Sequence, residues 1–442
     1  MPAPDGAAAR SKLISIIDMK KFILLLAFSP IFFACSKDEP EVVAGPSIDN
    51  PTDVTKIGDK VSNPKNIQWC KNPEVADATL SSLRHISDVL YTMNYTADMH
   101  LDELVNGDYR TRDAFENAFA DFMFTPEGGE PVNDVQPQAC SGFVCNTPGG
   151  DLLLGRNFDG AHGPMLMLFN SNNGYKYVQC TAPNYNSTLY AGPDNLHGDG
   201  ILSDGKTSLH RLMREPLATM DGMNEHGLCF GAYQLPNFDE HNPELRILHQ
   251  NTGKKAISAS LMHNLILSKC KTVREVEELL RSYDMININP YLNVHWMIAD
   301  ATGDWAIFEY WNDTLYVMRE SELYRYGSLA GLSIPYEWYS IENYYRNPEA
   351  YLAYPAPIQS DPANWQVAMS AKIRVTHMMN SYNPTMTEKE AMYCLQEGRY
   401  SIEVPNDFTN WSCVYNPRKR TITFFLRNDM SKVYTVDLKK VF

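Results

Sequence analysis

Cys140-Ser141-Gly142-Phe143-Val144-Cys145-Asn146-Thr147-Pro148-Gly149-Gly150-Asp151-Leu152-Leu153-Leu154-Gly155-Arg156-Asn157-Phe158-Asp159 is the stretch from which the fold can be read. Gly142–Cys145 and Leu152–Leu154 are apolar runs of strand type. Thr147-Pro148-Gly149-Gly150 between them is a turn, so the segment reads as a hairpin. With Cys140 opening the first strand, the reversal returns Gly155–Asp159 beside it. Arg156 and Asp159, sixteen and nineteen positions on, then come within reach of the Cys140 sulfur and backbone nitrogen.

Downstream the texture stays strand-rich. Strands are expected at Tyr175–Cys180, Leu228–Tyr233, Val294–Ile298, Trp305–Tyr310, Thr314–Met318, Trp411–Tyr415, Thr421–Leu426 and Val433–Leu438. Helices are expected at Ala256–Cys270, at Thr272–Tyr283 with a Thr272…Glu275 capping box, and at Thr387–Gln396 with Thr387…Glu390. Strands at both ends with helices between predict a layered α+β domain. Upstream, residues 66–125 read as helical. Leu80, Leu83, Ile86, Val89 and Leu90 form one stripe within Ala76–Asn94, and a second stripe runs from Met99 to Phe124. Pro126–Pro137 is a loop rich in turn formers.

The N-terminus carries an address. Met19-Lys20-Lys21 is a basic head, Phe22–Phe33 an apolar run of twelve residues, and Ala34-Cys35-Ser36 follows. This is the pattern of a secretory signal ending in a lipobox, with Met19 as the true start and Cys35 as the lipidated residue. Phe32 stands where such boxes usually carry Leu. Residues 36–65 read as a flexible tether. Its acidic start, Asp38-Glu39, resembles the surface-export signal of Bacteroidetes lipoproteins. The expected location is the outer membrane, on its periplasmic or cell-surface side, with the membrane reached through the lipid anchor only.

A net charge of −15 and a pI near 5.2 give no footprint for nucleic acid. Nine cysteines occur without a CxxC pair, and no metal constellation or Gly-rich phosphate loop stands out, so neither metal nor cofactor is expected. Cys145, Cys180 and Cys229 read as small core residues.

A cysteine thiol with an ordinary pKa of about 8.5 needs a base or a nearby cation to react near neutral pH. A cut before Cys140 frees an α-amine of pKa about 7.7–8.0 on the same residue, which can serve as that base. Arg156 supplies positive charge for the thiolate, and Asp159 can orient the ammonium. No histidine is required.

Cys140-Ser141-Gly142 followed by Gly155-Arg156-Asn157-Phe158-Asp159 resembles the linear amide C–N hydrolases. This family includes choloylglycine hydrolases, penicillin V acylases and the isopenicillin N acyltransferase-like enzymes, all with an N-terminal nucleophile. Asp221-Gly222-Met223-Asn224-Glu225-His226-Gly227-Leu228, His295–Gly303 and Thr409–Asn416 resemble further blocks of that family, in the family's order. The resemblance implies a four-layer αββα sandwich over residues 140–442, preceded by a helical pro-segment or small subunit at 66–139. It implies Cys140 as nucleophile with Arg156 and Asp159, Asn224 as a shaping residue, Gln234 in place of an oxyanion-hole Asn, and Arg374 as a late active-site Arg. The Thr-Asn pair of the family is missing; Leu329-Ala330-Gly331 stands at the nearest register.

The expected function is hydrolysis of a linear amide with an apolar acyl group through a Cys140 thioester, after self-cleavage at Ala139–Cys140. The protein is then either a processed heterodimer or a homo-oligomer. Two other readings use the same sequence: an acyltransferase, and an inactive surface binding lipoprotein on this scaffold.

Overall fold

The hairpin forms as read. Ala139–Asn146 pairs antiparallel with Leu152–Asp159, with Cys140 opposite Phe158 and Gly142 opposite Arg156. The computed structural model describes residues 51–60, 68, 70–87, 89–125, 139–159, 164–183, 212–235, 248–287, 293–321, 339–343, 346–347, 378–398 and 409–442. Among these, the hairpin lies in a seven-stranded sheet in the order Thr52–Asp53, Asp429–Asp437, Thr421–Leu426, Thr409–Asn416, Leu152–Asp159, Ala139–Asn146 and Ser340–Glu342. A ten-stranded sheet runs Thr314–Met318, Trp305–Trp311, Val294–Ala299, Cys229–Gln234, Asp221–Asn224, Tyr177–Thr181, Met165–Asn170, Leu90–Tyr95, Arg84–Ser87 and Asp59–Lys60.

The period of two along a strand sorts the side chains into layers. Cys140, Val144, Leu152, Leu154 and Phe158 share one buried cluster with Met165, Met167, Met223 and Met297 of the ten-stranded sheet. The two sheets are therefore stacked face to face. The alternate residues Phe143, Cys145 and Leu153 pack outward against Met392 and Leu395 of the helix Glu388–Glu397. On the far side, Leu166, Leu168, Phe230 and Ile298 meet the helices Leu101–Asn106, Arg112–Met123, Ala259–Lys269 and Val273–Arg281. The order helix, sheet, sheet, helix is the αββα sandwich expected. Each large apolar side chain so buried contributes roughly 1.5–3 kcal/mol. Cys145, Cys180 and Cys229 are core residues, as read.

The caps also follow the sequence. Thr387 and Glu390 form a full reciprocal capping box. At Thr272 only half of the box forms: the hydroxyl accepts from the Glu275 amide, while the Glu275 carboxylate takes the amide of Lys271 instead.

Two readings of the upstream chain need correction. The helix read over Ala76–Asn94 stops early; Pro73–Ser81 is helical, but Arg84–Ser87 and Leu90–Tyr95 are strands. Leu90-Tyr91-Thr92-Met93-Asn94-Tyr95 has the β-branched and aromatic content of a strand. It also alternates, with Tyr91, Met93 and Tyr95 under the helices and Leu90 between the sheets. This strand pairs parallel with Met165–Asn170, so the segment before Cys140 is built into the sheet rather than being a helical pro-segment laid against it. The tether also ends sooner than 65. Thr52–Asp53 pairs with Tyr434–Thr435, and Val54, 1% exposed, anchors this stretch between the sheets. Residues 1–35, with Cys35, and the first part of the tether lie outside the described residues. No described helix is long and apolar enough to cross a membrane.

Behind the ten-stranded sheet, His263 is buried and held as a neutral ring. One nitrogen, Nδ1, bonds the Thr219 carbonyl at 2.8 Å, and Nε2 accepts from Trp296 Nε1 at 2.8 Å. Burial lowers its pKa to about 4. The unfolded chain therefore takes up a proton below pH about 6.5 that the folded chain refuses until pH about 4. Stability is complete above pH about 6.5 and falls as the pH drops through that window, by on the order of 3 kcal/mol from this one group. Urea unfolding of wild type and His263→Gln from pH 7 to 4.5 checks this: the wild-type slope should be shallower in the variant.

Candidate active site

Cys140 is fully buried at the start of its strand, its side chain in the layer between the sheets. Arg156, on the next strand and the same face, places Nη2 at 3.6 Å from the Cys140 sulfur. The same nitrogen donates to the Ala232 carbonyl at 2.7 Å, and Nη1 donates to Asp221 Oδ2. Asp221 belongs to the opposite sheet. Its carboxylate also accepts from Trp411 Nε1 at 3.0 Å and from the Tyr415 hydroxyl at 2.7 Å. Burial works against the Arg156 charge, but Asp221 and then Cys140 outweigh it and raise the guanidinium above its ordinary pKa. A permanent cation thus lies against the sulfur, the condition that favours a thiolate.

Two glycines make the room. A Cβ on Gly231 would lie 2.6 Å from Arg156 Cδ, and one on Gly142 would lie 2.1 Å from the Tyr233 hydroxyl. The Arg156 guanidinium rests over the Phe158 and Tyr233 rings, at 5.2 and 5.4 Å from their centroids.

The Cys140 backbone nitrogen donates to Asn343 Oδ1, and Asn343 Nδ2 donates to the Gln234 carbonyl at 2.7 Å. Gln234 closes the strand Cys229–Gln234. Asp159 pairs in register with Ala139, one residue before Cys140, and its Oδ1 accepts from the Thr409 hydroxyl at 2.5 Å. Cys140, Arg156, Asp159 and Gln234 are therefore gathered at one end of the stacked sheets.

Asn224 is not part of this group. Its Nδ2 donates to the Leu267 and Cys270 carbonyls at 3.0 and 2.7 Å, and its Oδ1 accepts from the amides of His226 and Leu228. It fastens a turn to the end of the helix Ala259–Lys269, on the outer face of the sheet, because it has the same parity as Gly222 and the opposite parity to Asp221. Arg374 lies outside the described residues. Sequence reasoning missed Asp221 and Asn343. Asp221 stands in the same block as Asn224, and an acid between apolar strands signals a buried partner charge. Asn343 lies outside every block and carries no local signal.

Cys180, Asp221 and Cys413 bring ligand-type atoms within 4.8 Å of one another. The Asp221 oxygens already serve Arg156, Trp411 and Tyr415, and the adjacent guanidinium opposes a cation.

Residues 140–330 match the model of the linear amide C–N hydrolases, choloylglycine hydrolase family. A bile salt hydrolase/transferase of Clostridium perfringens is 26% identical over 183 residues, which are 40% of this chain. The chain spans about half the length of this curated relative, 50%. Among solved structures, a mutant conjugated bile acid hydrolase from Clostridium perfringens aligns with 68% of this chain and 93% of its own, at 16% identity and a TM-score of 0.39. Penicillin V acylase from Agrobacterium tumefaciens aligns with 68% and 87%, at 15% identity and a TM-score of 0.40.

The buried ion pair gives a direct test. Asp221→Ala strands the Arg156 charge and should cost about 3–5 kcal/mol in urea unfolding. The double variant Arg156→Met/Asp221→Leu removes both charges and should cost clearly less. Equal losses in the two would mean that packing, not charge pairing, is what Asp221 supplies.

Proposed function

We propose that this chain, whose residues 140–330 match the model of the linear amide C–N hydrolases, hydrolyses a linear amide through Cys140 after cutting its own backbone before that residue. The observation that carries the reading is the Arg156 Nη2 to Cys140 Sγ contact of 3.6 Å, in a site with no histidine on the sulfur among the described residues.

In maturation, the Cys140 sulfur adds to the Ala139 carbonyl carbon. The Ala139–Cys140 C–N bond breaks, a thioester forms, and the thiol proton ends on the Cys140 nitrogen. Water then releases the Ala139 carboxylate and returns the thiol, leaving a free α-amine on Cys140. In turnover, this amine takes the thiol proton, and the thiolate, held by Arg156, attacks the substrate carbonyl. The ammonium protonates the leaving nitrogen, and the amine so regenerated deprotonates the water that hydrolyses the thioester. Gln234 is the amide donor proposed for the oxyanion. Asp159, one register step away, helps hold the new N-terminus.

The substrate class is an amide with an apolar acyl group, in line with the bile salt named for the curated relative. The N-terminal pattern ending at Cys35 supports an exported, lipid-anchored protein. Because Leu90–Tyr95 is a sheet strand, the upstream fragment stays bound after the cut, as a processed heterodimer.

Intact mass and N-terminal sequencing of the full chain, purified without its signal, test the reading. The expected result is a fragment beginning Cys140-Ser141-Gly142 and release of amine from a conjugated bile salt or penicillin V. In Cys140→Ala the chain should stay whole and the hydrolysis should vanish. A Cys140→Ala protein that still separates into the same two fragments would end the self-cleavage proposal.

A further inference from the structure

We infer that Asn343 is the positioning residue for the Cys140 nitrogen, in maturation and in turnover alike, and that a buried Glu309–His295 clamp holds it there. The inference rests on the hydrolase reading above. Its starting point is a carboxamide with both ends engaged. Asn343 is 4% exposed; Oδ1 accepts from the Cys140 nitrogen, and Nδ2 donates to the Gln234 carbonyl at 2.7 Å. The side chain thus ties the nucleophile's strand to the end of the strand carrying the proposed oxyanion donor.

Backbone register brings Asn343 to this place. Ser340–Glu342 pairs antiparallel with the nucleophile strand, Ser340 opposite Phe143, Ile341 opposite Gly142 and Glu342 opposite Ser141. Asn343 follows directly at the end of this ladder, and its side chain meets the Cys140 nitrogen. Beyond it, the amides of Arg346 and Asn347 donate to Glu309 Oε2 and Oε1, each at 2.8 Å. His295 Nδ1 lies 2.9 Å from Glu309 Oε2. Glu309 and His295 are both fully buried, and His295 is the cross-strand partner of Tyr233, next to Gln234. One carboxylate therefore fixes Arg346 and Asn347 to the same sheet in which Asn343 contacts a strand end.

The chemistry asks for such a residue. Before the cut, Cys140 N–H is an amide donor, and after it the ammonium or amine is still a donor. An Asn oxygen serves all three states without changing its own charge. With one N–H anchored on Asn343, rotation about the Cα–N bond is restricted, and the amine lone pair can be kept toward the sulfur. A carboxylate at the same position would instead oppose every proton loss from the amine–thiol pair.

The test uses the full chain, with Asn343→Ala and Asn343→Asp beside wild type. Intact mass follows the appearance of the two fragments with time. Iodoacetamide labelling of Cys140 in the cut protein, read by peptide mass, gives the pH midpoint of the nucleophile. Asn343→Ala should form fragments about tenfold more slowly, the loss expected for one buried hydrogen bond. Asn343→Asp should move the labelling midpoint about one unit to higher pH. A role in packing alone would lower stability and leave the midpoint where it is. Wild-type fragment rates in Asn343→Ala, or an unmoved midpoint in Asn343→Asp, overturn the inference while leaving the hydrolase reading standing. A variant that does not mature at all, while its thermal unfolding midpoint matches wild type, supports it. One that fails to mature because it no longer unfolds cooperatively makes Asn343 a folding residue and overturns it. A wild-type chain that stays whole, or whose cut form is not labelled at Cys140, overturns the hydrolase reading itself.

Discussion

The Arg156–Asp221 ion pair is the constraint around which the two sheets are organised. Two opposite charges cannot be taken into a layer of methionine, phenylalanine and leucine unless they meet and their remaining hydrogen-bonding groups are served. Asp221 meets three donors, all from the seven-stranded sheet, while standing on the ten-stranded one. Sliding either sheet by one residue would break all three contacts. The same guanidinium then has a fixed direction, and its second nitrogen falls on the Cys140 sulfur. Position of the sheets and polarity at the Cys140 sulfur are in this way one problem with one solution.

The hairpin divides its work by face. Cys140, Arg156 and Phe158 look inward, into the layer between the sheets. Ser141 and Asn157 look outward and act as fasteners: Asn157 Nδ2 donates to the Leu395 carbonyl at 2.9 Å, and its Oδ1 accepts from the Ser412 hydroxyl at 2.7 Å. The helix Glu388–Glu397, itself closed at its start by the Thr387 capping box, is thereby bonded to the back of the strand Leu152–Asp159, beside the Cys140 strand. Stiff support behind a reactive residue keeps it in one geometry.

Much of this was legible in the chain. Two apolar runs and a marked turn gave away the hairpin, and the downstream strands and capped helices followed their local patterns. Leu80, Leu83, Ile86, Val89 and Leu90 misled because short apolar runs fit helix and strand periods equally well. What decided Leu90–Tyr95 was a partner, Met165–Asn170, far along the sequence. The same limit applies to the site. Arg156 was found because the turn brings it back to Cys140 locally. Asp221 and Asn343 reach the site through pairing between distant segments, which spacing alone does not encode. Asn224 was drawn in by its neighbours in the motif, though its parity sends it to the outer face.

Pairing of Leu90–Tyr95 with Met165–Asn170 also encloses the Ala139–Cys140 bond in a loop whose two ends are pinned to one sheet. Closing such a loop costs conformational entropy, and the cost grows only slowly with its length. The proposed break at Ala139–Cys140 would open the loop and return part of that entropy, with both halves still hydrogen-bonded in the sheets. The chain before such a break would gain freedom without leaving, and the new amine would remain at the sulfur because its own strand is held by its neighbours. With the proposed cut, chain connectivity on the upstream side would be needed to assemble the sheets and not to hold them.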